Sequence, residues 1–274
     1  MSVINTNIKS LISQNALTRN GRDVANAMQQ LSTGKRINSA ADDAAGLAIS
    51  NKMTSQIRGL NQAVRNANDG ISMLQTAEGA TQEITNMLQR MRELAVQAAN
   101  DTYSDTDRDA LDKERVELEA EITRISKNTK WNNMSFLDSA GVTKTFQVGI
   151  ANNEDSTIAV SFVDLTSSGL GVVGLDVSSH VGSQTALDKI DAAIADVDEF
   201  RADVGAKINR LNFAIENLSN ISINTSASRS RIEDADFAKA SSELARTQII
   251  QQAATAVLAQ ANTDQQSVLK LLQG

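Results

Sequence analysis

The chain has 274 residues, a net charge of −7, no cysteine, no proline and 3% aromatic residues. These numbers exclude disulfides, thiolate catalysis and cysteine-type zinc sites, and they argue against nonspecific attraction to nucleic acid. An apolar payload of Ala, Leu, Ile and Val, with one tryptophan (Trp131) and one tyrosine (Tyr103), suits narrow helix seams, and the absent proline lets helices run long without a forced kink.

The first helical block covers Ile4 to Leu31, with a stripe at Leu17, Val24, Met28 and Leu31. Met1 to Leu11 lacks the basic patch and apolar run of a secretory signal peptide. Ser32, Thr33 and Gly34 interrupt the block, and Lys35 to Ala41 reads as loop. Asp42 and Asp43 sit where a helix start welcomes carboxylates. The second block runs from Ala44 to Ala99 with a seam at Ile49, Met53, Ile57, Leu60, Val64, Ala67, Ile71, Leu74, Ile84, Leu88, Met91, Ala95 and Ala98. Each of Gly59, Gly70 and Gly79 weakens it, and a break near Gly79 is expected.

Asn100 to Asp109 holds a polar turn, where Ser104 with Asp107 fits a capping box loosely, since the third residue on is Asp rather than Glu. The third block carries Leu111, Leu118, Ile122 and Ile125 among dense charges. Residues 131–183 change character. Thr145 to Ile150 and Thr157 to Phe162 alternate around Asn152 to Asp155, which predicts a β-hairpin. The fourth block spans Ala186 to Ser222, and only Arg201 breaks its coiled-coil spacing. Asn224 to Arg231 reads as a polar hinge. A last stripe follows from Phe237 through Leu244, Thr247, Gln251, Ala254, Leu258, Ala261, Gln265 and Leu272.

Such terminal stripes cannot bury their faces alone, so they are expected to pair with each other and with neighbouring copies, the polar Gln251 and Gln265 setting register. The fold class is therefore mainly α: a long antiparallel helical rod or coiled-coil bundle with a small β-hairpin in mid-chain. The simplest architecture is nested, the first block against the last and the second and third against the fourth.

Catalytic chemistry has no foothold. His180 stands alone, no Gly-x-Ser-x-Gly elbow or phosphate-binding glycine pattern occurs, and Asp42 with Asp43 supply too few ligands for calcium. The reading is a non-enzyme without metal or cofactor, and without a bilayer-spanning stretch.

Several passages resemble the bacterial flagellins, the filament subunits of the flagellum. They include Val3-Ile-Asn-Thr-Asn7, Leu31-Ser-Thr-Gly-Lys-Arg-Ile-Asn-Ser-Ala40, Asp42-Asp-Ala-Ala-Gly-Leu-Ala-Ile49 and Asn66-Ala-Asn-Asp-Gly-Ile-Ser72. Gln75-Thr-Ala-Glu-Gly79, Leu88-Gln-Arg-Met-Arg-Glu-Leu-Ala-Val-Gln97, Ser230-Arg-Ile-Glu-Asp-Ala-Asp-Phe237 and Leu258-Ala-Gln-Ala-Asn262 continue the match. The resemblance implies that residues 1–41 with 232–274 form a terminal assembly domain, disordered in the monomer and pairing to line a filament channel, and that 42–231 form a discontinuous helical rod domain including the hairpin region 131–183. It implies type III export to the cell exterior, an export chaperone on the C-terminal segment, and filament cap and hook–filament junction proteins as partners. It also implies a Toll-like receptor 5 patch at Gln89, Arg90, Glu93, Leu94, Gln97 and Glu114, with the same surface used between subunits. Lys35 stands where the family usually has Leu, and Trp131-Asn-Asn-Met134 replaces a usual Phe-Asn-Gly. The function expected is mechanical: polymerisation into a filament that transmits torque. The alternative is a secreted, non-polymerising coiled-coil binding protein.

Overall fold

The computed structural model describes residues 6–139 and 141–273, and side chains up to residue 263. In chain order these form α1 (Ile8–Thr33), α2 (Ala44–Ala98), α3 (Asp105–Asn128), β1 (Lys130–Trp131), β2 (Met134–Ser135), β3 (Val142–Gln147), β4 (Thr157–Phe162), α4 (His180–Glu233) and α5 (Phe237–Gln273). The protein is mainly helical with an antiparallel β-hairpin in mid-chain. It divides into two compact units, one of residues 1–55 with 224–274 and the other of residues 56–223.

The 56–223 unit is built on antiparallel pairing of α2 with α4. Arg92 Nε donates to Asp191 at 2.5 Å, Arg201 Nη2 to Gln82 at 2.7 Å, and Ser222 Oγ to Asn61 at 3.0 Å. Between these polar rungs the apolar seam closes: Ala67, Leu74, Ile84, Leu88, Met91 and Ala95 on α2, and Ile190, Val197, Val204 and Leu211 on α4 are all buried.

No break occurs at Gly79. α2 is continuous over 55 residues, about 80 Å at about 1.5 Å per residue. Gly79 faces open space, and its helix penalty of about 1 kcal/mol is outweighed by burial of Ala77, Thr81 and Ile84 beside it. The expected hinge at Asn224 to Arg231 is also absent, because α4 continues to Glu233. The interruption falls at Asp234 to Asp236. There Asp236 Oδ1 accepts the backbone N–H groups of Ala238 and Lys239 at 2.9 and 3.2 Å and starts α5.

Arg108 and His180 close the C-terminal end of α2. Arg108 Nε donates to the Ala98 carbonyl at 2.9 Å, and His180 Nδ1 lies 2.8 Å from that of Ala99. They satisfy carbonyls that a helix end leaves open. The Ser104–Asp107 capping box does form at the start of α3. Asp107 Oδ2 accepts the Ser104 N–H at 3.1 Å and its hydroxyl at 2.7 Å, so the shorter carboxylate suffices.

β3 and β4 pair from Val142 opposite Phe162 to Gln147 opposite Thr157. The first strand starts and ends earlier than its alternation suggests, since Ile150 belongs to the connection. Ile158, Val160 and Phe162 point inward, and Phe162 sits between Phe136 and Phe200 with ring centroids 5.1 and 6.0 Å away. A second hairpin, β1–β2, was not foreseen. Asn132 and Asn133 adopt φ of 47° and 63°, the left-handed pair that a two-residue type I′ turn requires. Trp131 packs half-buried against the core beside that turn.

Candidate functional site

In the unit of residues 1–55 and 224–274, α1 and α5 run antiparallel. Asn7 Nδ2 donates to the Ala261 carbonyl at 2.9 Å, and Asn20 Nδ2 to the Thr247 carbonyl at 2.8 Å. What lies buried between the helices is small or polar: Ser10, Asn20, Ala27, Ala240, Thr247 and Ala261. Leu17, Val24, Leu31, Leu244 and Leu258 are half-buried, and a further set of large aliphatic side chains faces out. Ile8, Leu11, Met28 and Ile249 are exposed, as are Ile12 (65%) and Val257 (57%), which with Lys9, Ser13, Gln260 and Ala261 line a groove of about 380 Å³. Met28, read as a seam residue, belongs to this outer face, and Ala27 takes the seam position.

Leu244 and Leu258 are half-buried, whereas Gln251 is exposed in the two-helix pair. Gln265 and Leu272 lie outside the residues whose side chains are described.

The chain between α1 and α2 is pinned to the α4–α5 junction. Gly34, at φ +70°, ends α1 in a left-handed conformation, with its N–H on the Gln30 carbonyl at 2.9 Å. Lys35 then bridges Asp234, the Ala235 N–H reaches the Gly34 carbonyl at 2.9 Å, and the Arg36 N–H reaches that of Glu233 at 2.7 Å. The Glu233 carboxylate accepts from the Lys35 ammonium and the Ser50 hydroxyl, and these contacts, Lys35 foremost, hold its pKa below the ordinary value. Asp42 is held low by the backbone N–H groups of Ser39 and Asn38. Asp43 caps α2 by accepting the Gly46 N–H at 2.8 Å.

In the 56–223 unit, Arg90 on α2 donates to Glu114 on α3 at 2.8 Å and to Glu93 at 2.9 Å. Glu114 is the larger of the two influences that hold the guanidinium charged. Gln89, Arg90, Glu93 and Glu114 are exposed, and so is Gln97, which donates to the Tyr103 hydroxyl at 3.2 Å. Leu94 is not part of that surface. It is 1% exposed, in the covered sector with Leu88, Met91, Ala95 and Ala98. The helical spacing of Arg90, Glu93, Leu94 and Gln97 therefore does not put all four on the outside.

The Bacterial flagellin N-terminal helical region family matches residues 4–141, and the Bacterial flagellin C-terminal helical region family matches residues 187–272. The chain belongs to the bacterial flagellin family. A flagellin of Halalkalibacterium halodurans is 46% identical over 270 residues, covering 98% of this chain and 99% of that protein. The flagellar filament 31.3 kDa core protein of Treponema maltophilum is 39% identical over 285 residues, covering 99% and 100%. The crystal structure of Bacillus cereus flagellin superposes with a TM-score of 0.50 at 34% identity, covering 56% of this chain and 88% of that one. Membership makes the chain a polymerising flagellar filament subunit.

Lys35, expected to depart from the flagellin pattern, has a visible partner, and the Lys35–Glu233–Ser50 cluster is a feature sequence reasoning missed. Its only sequence signal is an extra cation in one loop and a carboxylate close to the next helix break. Arg115 was missed too. It reads as one charge among many, yet its side chain is buried between Asp112 and Glu119 at 2.7 and 2.6 Å. The signal was its spacing, with one carboxylate three residues before and one four residues after.

Proposed function

We propose that the α1–α5 pair is the polymerising element: its exposed aliphatic face is buried against neighbouring copies in an extracellular flagellar filament. The observation that supports this is the inversion of an ordinary helix pair. The fully buried positions are small or polar and the seam leucines only half-buried, while Ile8, Leu11, Ile12, Ile249 and Val257 remain outside. These five side chains are 55–66% exposed in the pair, so covering them is worth about 5–9 kcal/mol per subunit, at about 1.5–3 kcal/mol for each taken from full exposure to full burial. The pair alone lacks that stabilisation, so residues 1–41 and 232–274 stay disordered in the free monomer and order against each other and their neighbours during assembly, lining the channel. Gln251, exposed in the isolated pair, then joins Leu244 and Leu258 as a seam between copies.

The named Treponema filament core protein, alignable along nearly its whole length, supports the same reading. Unpaired, the C-terminal segment is the natural handle for an export chaperone. Cap and hook–filament junction proteins would engage the same face at the two ends of the polymer. Seeded elongation tests the proposal. Purified chain added to filament fragments under salting-out conditions is expected to lengthen them, and a chain truncated of residues 232–274 is not. Elongation by the truncated chain refutes it.

A second role has its own support. Arg90 and Glu114 form an exposed cross-helix pair flanked by Gln89, Glu93 and Gln97. An arginine held in a fixed orientation is good interface material. This patch is the proposed grip for Toll-like receptor 5 on the monomer, and in the filament it faces another subunit. Buried Leu94 then acts by supporting the helix beneath Arg90.

A further inference from the structure

Asn20-Gly21 is the one Asn-Gly pair in the sequence. It is the dipeptide most open to spontaneous deamidation, because glycine's missing Cβ lets the chain reach the cyclising geometry. Both residues lie inside α1, where helical dihedrals hold the Gly21 nitrogen away from the Asn20 side chain. Asn20 is also buried, with its amide nitrogen on the Thr247 carbonyl at 2.8 Å. Two restraints therefore protect the pair, and both exist only while α1 is folded on α5.

We propose that Asn20-Gly21 is a self-modification site, protected in the filament and labile in the unpaired chain, whose conversion removes a subunit from assembly. The proposal rests on the reading that α1 and α5 order on polymerisation. In the reaction the Gly21 backbone nitrogen attacks Cγ of Asn20. The Cγ–Nδ2 bond breaks, ammonia leaves with the proton from the Gly21 amide, and a succinimide remains. One water then opens the ring at either carbonyl, giving aspartate or isoaspartate. No oxidant, reductant or enzyme is required.

Either product is wrong for the seam. An aspartate carboxylate has no N–H to give, so it confronts the Thr247 carbonyl acceptor to acceptor in a buried position. The nearby cation Arg246 is already held by Glu243. Isoaspartate also lengthens the backbone by one bond and shifts the register of every later α1 residue against α5. Subunits that wait too long unassembled would thus be retired.

The structure supplies a clean control. A Cβ at Gly21 would meet nothing within 4 Å, so Gly21→Ala fits the helix while hindering ring closure. Full-length chain is held in mildly alkaline buffer as dilute monomer and as seeded filament, and the peptide carrying Asn20 is followed by mass spectrometry. Conversion is expected at least about tenfold faster in monomer than in filament, as local opening controls access. Converted chains are expected to stay in the supernatant when seeds are added. Gly21→Ala is expected to remain unconverted and to elongate seeds normally, and Asn20→Asp to elongate poorly while its 56–223 unit melts as in the parent. Equal conversion in monomer and filament, or converted chains entering filaments as readily as intact ones, overturns the proposal. If fresh parent chain and Gly21→Ala both fail to elongate seeds, the assembly reading itself falls, and this proposal with it.

Discussion

Replacing Ile12 with Ala tests the assembly face directly. Ile12 is 65% exposed beside α5 and shares its groove with Val257. Truncation removes three carbons, at about 0.8 kcal/mol each when buried, or about 2.4 kcal/mol. Roughly two-thirds of the side chain is still uncovered in the isolated pair, so about 1.5 kcal/mol is available from a neighbouring copy. At about 1.4 kcal/mol per tenfold, the critical concentration for elongation should rise roughly tenfold. The 56–223 unit does not contain Ile12 and should melt unchanged. Val257→Ala removes two carbons from a side chain 57% exposed, about 0.9 kcal/mol or roughly fourfold, and the double variant should lose less than the two singles together if one neighbouring side chain fills the groove. The assay is seeded elongation followed by sedimentation, with the supernatant giving the critical concentration. A value within about twofold of the parent for both single variants would refute the claim that this groove is a subunit contact.

Gly79→Ala places a Cβ into open space in mid-helix and should stabilise the 56–223 unit by about 1 kcal/mol, a rise of about 2–4 °C in Tm by circular dichroism. The Glu233 carboxyl is depressed below its ordinary value of 4.5, so its contribution is complete above that pH and is lost as pH falls through the lower folded value. Hydrogen exchange at the Arg36 and Ala235 amides of assembled protein, corrected for intrinsic rates, should accelerate in that acid window, and Glu233→Gln should remove the acid dependence. Because half-exposed Lys35 limits the pair to at most about 1 kcal/mol, the neutral-pH effect of that variant should be small. Arg90→Ala cuts two exposed ion pairs worth little to stability, so it should leave the Tm within about 1 °C while lowering a Toll-like receptor 5 reporter signal at equal monomer dose. An unchanged signal would argue against the patch.

The helices and the main hairpin were legible because their periodicities are strong and local. The family passages carried the filament reading, since they fall in both terminal regions and survive the loss of any one residue. What was not legible depends on distant parts of the chain. Gly79 looks like a helix breaker until Ile84 and Ala77 are seen buried in the α2–α4 seam. Leu94 shares a turn with Arg90, but spacing along a helix gives angles and not the width of the sector its neighbours cover. Lys35 looks like an intruding charge until Glu233, nearly two hundred residues on, is found beneath it.

The two units use opposite packing logic, and that contrast explains their division of labour. In the 56–223 unit, Leu74, Leu88, Leu211 and three phenylalanine rings are hidden, so folding satisfies the chain by itself. Between α1 and α5 the hidden residues are Ser10, Asn20, Ala27, Ala240, Thr247 and Ala261, with Leu17, Leu244 and Leu258 only half-buried, while Ile8, Leu11, Ile12 and Ile249 face out. Two inward asparagine amides fix the antiparallel register without supplying much stability, because each hydrogen bond nets only about 1 kcal/mol. A pair designed this way knows how to align but has little reason to stay together until other copies cover its outer face. That same weakness exposes Asn20-Gly21, so the arrangement that makes assembly conditional on partners also makes waiting costly.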